Sequence, residues 1–269
     1  MELNVSNSAT PQKAIIVGAG QGSRLLPLTE RIPKCLIDLC GRTMLGWQLR
    51  ALAETGIREA VVITGFHPEL VELELERNAP PQMRVRTVYN PFYKLADNLA
   101  SCWMARAELC GPCLILNGDT LFEPEIARRL LGAASASITV TIDRKPGYDA
   151  DDMKVITDGD RLLGIGKTLP AGDVNGESIG FLRFDASGAA QFVAELEHTM
   201  RTPEGTRLWY LSAIHRLAGA GVHVRVASIA GLQWAELDYP DDLVRARALA
   251  AGWSSRHSAA DEKPAVAGA

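Results

Sequence analysis

The chain has 269 residues, 47% of them hydrophobic, which suits one large α/β domain with a substantial core. Its 28 Lys and Arg against 32 Asp and Glu give a net charge of −4, without the basic surplus that a dedicated nucleic-acid binder uses to neutralise phosphates. Residues 1–12 are polar rather than basic-then-apolar, and no apolar run is long enough for a bilayer, so a cytoplasmic protein with no nucleic-acid or membrane partner is expected.

Residues 1–12 read as a flexible N-terminal extension. Residues 13–17 are a short apolar run ending in glycines, 60–64 are another, and 43–55 between them carry apolar residues at helical spacing, which makes a βαβ unit. Helices are predicted at 68–77 and 98–108, and strands at 84–89 and 113–116. The alternation predicts an α/β fold with a Rossmann-like mixed sheet, mainly parallel, covered by helices on both faces. After a helix at 124–131 the rhythm changes to strand-like runs at 137–143, 153–157, 162–167 and 178–184, which predict antiparallel additions. Helices at 186–200 and 209–218, a strand at 222–228 and a helix from 240 to about 251 complete a single domain, 13–251. From Gly252 onward Ser, Ala, Pro and charge dominate, which predicts a disordered tail over 252–269. The five cysteines, Cys35, Cys40, Cys102, Cys110 and Cys113, read as reduced structural thiols, because the close pair Cys110 and Cys113 lacks a second pair to complete a zinc site.

Ligands of open α/β sheets sit beyond the carboxyl ends of parallel strands, so the segments after Val17, Tyr89 and Leu116 should face one cleft. The first of them is Gly18-Ala19-Gly20-Gln21-Gly22-Ser23-Arg24, a loop whose backbone amides suit phosphate oxygens. It is not a dinucleotide fingerprint, since the third glycine would fall at Ser23, nor a P-loop, whose lysine is missing; Gly166-Lys167-Thr168 likewise has Arg161 where a P-loop's leading glycine belongs. Arg24 closes the loop, Pro27-Leu28-Thr29 follows, and Lys34 comes ten residues after Arg24. Two cations on one glycine loop suit a triphosphate and the charge that develops as pyrophosphate leaves. Asn117-Gly118-Asp119 follows the most apolar strand and delivers a carboxylate to the cleft. Magnesium needs only one or two protein carboxylates, and Asp238 in Trp234-Ala235-Glu236-Leu237-Asp238 is the candidate partner. Asp238 equally reads as the cap of a helix opened by Pro240, Asp241 and Asp242. The histidines form no triad-like pattern.

These motifs, in this order over residues 13–250, resemble the sugar-1-phosphate nucleotidyltransferase superfamily, whose signature is LAAGxGSR followed by PK; Val17 and Gly18 stand where Leu and Ala are usual. The resemblance implies a GT-A-like nucleotidyltransferase fold, Mg2+ held by Asp119 and Asp238, and Arg24 and Lys34 as catalytic cations. It also implies nucleotide binding by Gly18, Ala19, Gly20, Gly22 and Ser23. Four further segments are more similar to the phosphocholine cytidylyltransferase group and its phosphonate-activating relatives. Tyr89-Asn90-Pro91 with Asn98-Leu99-Ala100-Ser101 resembles a nucleotide-lining segment, which implies roles for Asn90, Asn98 and Ser101. Asp151-Asp152-Met153-Lys154-Val155, Gly176-Glu177-Ser178-Ile179-Gly180 and Leu208-Trp209-Tyr210 imply that Lys154, Glu177, Trp209 and Tyr210 surround the acceptor, although Ser212 stands where an acid is common.

By themselves these residues leave alternatives open. Asn98 caps a helix or binds nucleotide, Lys154 is an exposed strand lysine or a phosphate ligand, and Glu177 is solvated or attracts an ammonium group. Trp209 and Tyr210 are core aromatics or a cation-π wall. The implied function is transfer of CMP from CTP to a phosphocholine-like or 2-aminoethylphosphonate-like acceptor with release of pyrophosphate. The alternatives are a sugar-1-phosphate or cyclitol-phosphate nucleotidyltransferase using CTP, UTP or GTP, and a catalytically silent nucleotide-sensing domain. A homodimer is the default assembly.

Overall fold

The computed structural model describes residues 10–261, with side chains to residue 255. Strands β1 (Lys13–Val17), β2 (Glu59–Thr64) and β3 (Arg84–Tyr89) alternate with helices α1 (Met44–Glu54), α2 (Pro68–Asn78) and α3 (Asn98–Met104), followed by β4 (Cys113–Asn117). After β4 come β5 (Thr120–Phe122), α4 (Pro124–Leu131), β6 (Ile138–Asp143), β7 (Lys154–Asp158), β8 (Arg161–Gly166) and β9 (Gly176–Phe184). Helices α5 (Ala186–Thr199) and α6 (Tyr210–Gly219), strands β10 (Val224–Ser228) and β11 (Trp234–Glu236), and helix α7 (Pro240–Asp261) complete the order. No helix among the described residues is long and apolar enough to cross a membrane.

The main sheet has nine strands in the order β3-β2-β1-β4-β9-β6-β10-β8-β7, and β7 pairs again with β9. Its first four strands are parallel, while β9 runs antiparallel to both β4 and β6. The apolar runs of β1, β2 and β4 are buried because helices cover both faces, as a parallel sheet requires. On one face Leu99 of α3, Phe192 of α5 and Ile214 of α6 pack on Ile15, Ile63 and Ile115. On the other, Leu45 and Leu49 of α1, Val71 of α2 and Ile126 of α4 pack on Ile16, Val62 and Leu116. The predicted mixed sheet and its antiparallel additions are present.

Two expected boundaries shift. Residues 10–12 belong to the fold, where Gln12 O accepts from the backbone amides of Arg58 and Glu59, both at 3.0 Å; residues 1–9 lie outside the described residues. The predicted tail is helical as far as Asp261, and 262–269 lie outside the described residues. Gly252 did not end the helix because its apolar stripe continues: Leu243, Ala246, Ala250 and Trp253 recur at three- and four-residue intervals and are all buried. Trp253 meets Trp47 edge-on, 5.9 Å between ring centroids, and donates from Nε1 to Gln233 Oε1 at 3.1 Å. Trp253→Ala is expected to cost about 3 kcal/mol, seen as a lower chemical-denaturation midpoint; a merely frayed tail would leave that midpoint unmoved.

Candidate active site

Val17 ends β1, and the glycine loop begins with Gly18 N donating to Ile63 O at 3.1 Å. Gly22 has φ +78°, and a Cβ there would stand 2.8 Å from Lys34 Cδ, so glycine lets the lysine stem lie across the loop. Thr29 braces the same turn, its Oγ1 donating to Gly22 O at 2.7 Å while its carbonyl accepts from Gln21 Nε2 at 3.1 Å. The Asn117-Gly118-Asp119 turn rests against this loop. Gly118 N donates to Val17 O at 3.0 Å, and a Cβ at Gly118 would come within 2.8 Å of Gly18 Cα. From beneath, Gln48 of α1 donates to Asn117 O at 2.8 Å and Thr120 O at 2.9 Å.

A two-stranded sheet brings the second acid across. β11 runs antiparallel to β5 with Glu236 opposite Thr120, and Leu237 N donates to Asp119 O at 3.1 Å. Asp238 therefore emerges beside Asp119. The capping alternative resolves against the Asp238 side chain: Asp242 Oδ2 folds back to accept from Asp238 N at 2.9 Å and Tyr239 N at 2.7 Å. Lys34 Nζ lies 2.8 Å from Asp119 Oδ2 and also donates to Asp238 Oδ1. Burial alone would lower its pKa, but the two carboxylates overcome this and hold the ammonium above its ordinary value. Arg24 Nη1 stands 3.6 Å from Asp238 Oδ2 at the solvent side. Asp119 Oδ1 is buried without a hydrogen-bond partner. Glu236 is exposed at the end of β11; desolvation of its carboxyl, with the charges of Asp119 and Asp238, pushes it up to about 8.

Gly18, Ala19, Gly20, Gly22, Lys34, Asn98, Ser101, Asp119 and Trp209 line one cleft. Ser23 and Arg24 form the short 3-10 turn that closes the loop at the cleft's mouth. Other expected residues are elsewhere. Asn90 is fully buried, donating to Ser101 Oγ at 3.0 Å and accepting from Phe92 N at 2.9 Å, so it shapes the loop beside the cleft rather than its surface. Asn98 does cap a helix, but a distant one: its Oδ1 accepts from Tyr210 N at 2.9 Å, at the start of α6.

The acceptor set is broken up. Tyr210 is fully buried, its hydroxyl 3.0 Å from Asn117 Oδ1 and 3.2 Å from Gly180 O, so no ring face is open to a ligand. Glu177 is buried against Lys145 at 2.7 Å and so is not a free attractor of ammonium. Lys154 is likewise buried, its Nζ donating to Lys167 O at 3.1 Å. Trp209 alone of the four lines the cleft, and the Lys167 ammonium sits over its ring, 5.0 Å from the centroid. Sequence spacing missed Gln48, Tyr93 and Lys167: Gln48 is hidden in an ordinary amphipathic helix, Tyr93 lies in an irregular loop that also lines the cleft, and Lys167 was visible only as part of a false P-loop.

A sequence model of the nucleotidyl transferase family matches residues 13–161. The CMP-5'-(3-aminopropyl)phosphonate synthase of Streptomyces rubellomurinus is 32% identical over 240 residues, covering 87% of this chain and 38% of that protein. The bifunctional IPC transferase and DIPP synthase of Rubrobacter xylanophilus is 28% identical over 248 residues, covering 90% of this chain and 52% of that protein. The chain thus spans about half or less of these relatives' lengths. The inositol-1-phosphate CTP transferase from T. maritima shares the fold, with a TM-score of 0.77 at 19% identity, covering 91% of this chain and 96% of that one.

The Glu177 pocket generates a pH dependence. Burial, with the Asp152 carboxyl beside it, raises Glu177 from 4.5 to about 7 despite Lys145. Between those values the folded chain keeps a proton that the unfolded chain releases, so stability is greatest at the acid end of this window and falls as pH rises through it. Denaturation at pH 5 and pH 7.5 is expected to show a loss on the order of 1–3 kcal/mol that Glu177→Gln lowers, Glu236 contributing the remainder; an equal loss in the variant would assign the slope to other groups.

Proposed function

Because the chain belongs to the nucleotidyl transferase family, we propose that it transfers CMP from CTP to a small aminoalkylphosphonate or phosphate ester and releases pyrophosphate. The observation that carries this reading is the Lys34 ammonium held between Asp119 and Asp238 at the mouth of the glycine loop. CTP and a phosphonate acceptor are supported by the names of relatives, a CMP-aminopropylphosphonate synthase and an inositol-1-phosphate CTP transferase.

The acceptor oxygen is anionic at neutral pH and attacks the α-phosphorus directly. One P–O bond forms, the bond to the pyrophosphate oxygen breaks, and no covalent enzyme intermediate is needed. The backbone amides of the Gly18–Gly22 loop and Arg24 bind the triphosphate. Lys34, kept protonated by its two carboxylates, acts as a fixed positive charge and not as a base. Asp119 and Asp238 would hold magnesium, which when bound supplies charge neutralisation to the triphosphate. The residues fit such an ion: Asp119 Oδ1 is buried and unpartnered, and the Asp119 and Asp238 carboxylates outnumber the Lys34 ammonium between them. This is a two-carboxylate fit, since no group of three or more acidic, Cys or His side chains among the described residues is arranged to hold a metal.

A second reading has its own support. Lys167 already covers the Trp209 ring, so an acceptor amine would have to displace an ammonium there, whereas a polyol would not. This favours a cyclitol phosphate. Pyrophosphate release with CTP, UTP, GTP and ATP against 3-aminopropylphosphonate, 2-aminoethylphosphonate, phosphocholine, inositol-1-phosphate and glucose-1-phosphate decides between them. CTP with an aminoalkylphosphonate is the expected pair, inositol-1-phosphate alone selects the second reading, and silence throughout favours a nucleotide sensor. On the active pair, Lys34→Ala is expected to lower kcat by about 100-fold or more; normal turnover would remove Lys34 from the chemistry.

A further inference from the structure

Cys110-Gly111-Pro112-Cys113 plays no part in the transfer reaction. It lies at the amino end of β4, the strand whose far end leads to Asp119, and both cysteines are free thiols. They differ sharply in environment: Cys110 is exposed, whereas Cys113, the first residue of the strand, is fully buried. Gly111 and Pro112 turn the chain between them.

Lys13 ties the pair together. In the parallel ladder Ala14 lies opposite Leu114, so Lys13 stands beside Cys113, and side chains side by side in a ladder share a face of the sheet. From that face Lys13 Nζ reaches Cys110 Sγ at 3.6 Å, while Glu108 Oε2 lies 3.7 Å from the same ammonium. The ammonium therefore bonds an exposed sulfur that a small disulfide can reach. Burial pushes the Cys113 thiol up to about 12, and the Lys13 ammonium pulls it down. Two cysteines separated by two residues, one exposed and one buried, have the arrangement of an attacking and a resolving thiol.

We propose that Cys110 and Cys113 form a thiol–disulfide exchange site for low-molecular-weight disulfides, closing to a reversible internal disulfide. The Cys110 thiolate attacks one sulfur of the small disulfide, whose S–S bond breaks. A mixed disulfide forms on Cys110 and the first small thiolate leaves. Cys113 gives up its proton and attacks Cys110 Sγ, the mixed disulfide breaks, and the second small thiolate leaves. The two protein thiols are oxidised, the small disulfide is reduced to two thiols, and the two protons end on those thiols. Lys13 is the positioning residue, its ammonium bonded to the Cys110 sulfur from the ladder position next to Cys113. The site is independent of the nucleotide chemistry, which lies at the opposite end of β4.

The test uses the folded full chain with oxidised glutathione at neutral pH, followed by alkylation and mass analysis of the intact protein and its peptides. Loss of two hydrogens within the peptide carrying residues 110–113, reversed by dithiothreitol, is expected. Cys113→Ser should instead retain glutathione on Cys110, and Cys110→Ser should form no disulfide. Cys40, also exposed, is the internal reference: Cys110 should react with iodoacetamide several-fold faster than Cys40, and Lys13→Met should remove that advantage. A wild-type chain that keeps glutathione on Cys110 without closing the ring, or a Cys110 no more reactive than Cys40, would overturn the proposal. Should Cys113→Ser fail to fold, the wild type and the exposed-site variant Cys110→Ser decide alone.

Discussion

The ion-pair bridge from Lys34 to Asp119 and Asp238 is the constraint around which the cleft is built. Two carboxylates brought into one partly buried place repel each other, and only a cation between them makes the arrangement tolerable. The three residues come from distant parts of the chain: the segment after the glycine loop, the turn after β4, and the junction of β11 with α7. The fold must therefore deliver all three together. The parallel core places the glycine loop and the Asp119 turn at adjacent strand ends, and the small β5–β11 sheet brings Asp238 across to them. In the proposed reaction the same cluster is the charge store of the site, negative enough to hold a metal ion and positive enough at Lys34 to face a triphosphate.

Beneath the cleft floor the polar groups are arranged to fix the Asp119 turn rather than to touch a ligand. Gln48 holds two of its carbonyls from one side, and the Tyr210 hydroxyl holds Asn117 from the other. Asn98 caps the helix that Tyr210 begins, and Asp97 N and Leu99 N bond the carbonyls of Thr206 and Leu208. Helix α3 is thus laced to the segment that presents Trp209. Buried hydrogen bonds of this kind are costly to break once their partners are desolvated, so they give the turn a single geometry.

What the sequence made legible follows from how each signal arises. Strands β1, β2 and β4 are buried on both faces and announce themselves as apolar runs, and the loop motif after β1 is local, so the fold class and the position of the glycine loop were both readable. Strands β5 and β11 are three residues each, too short for any period to register, although they determine where Asp238 points. The reach of α7 past Gly252 was hidden because small polar residues surround the one aromatic that anchors it. Asn98, Tyr210 and Glu177 stood in motifs read as ligand-binding, but their partners lie far away in sequence, at Tyr210, Asn117 and Lys145, and only tertiary structure pairs them.

The two ends of the cleft are built from different materials. The glycine-loop end uses backbone amides and glycines whose positions are fixed by close packing. The surface near Arg24 uses long side chains that satisfy one another: Asp151 lies 3.8 Å from Arg24, 3.5 Å from Lys167, and accepts from the Tyr239 hydroxyl at 2.6 Å. Exposed ion pairs of this kind are screened by solvent and contribute little, so in the proposed reaction an acceptor that offers comparable charges displaces them at little cost. A surface of this construction separates the two tasks of the proposed enzyme: the triphosphate meets a preformed loop, and the acceptor completes its own site by exchanging partners with Lys167 and Asp151. Changing the acceptor in the proposed reaction then requires altering a few surface side chains and leaves the Lys34, Asp119 and Asp238 cluster untouched.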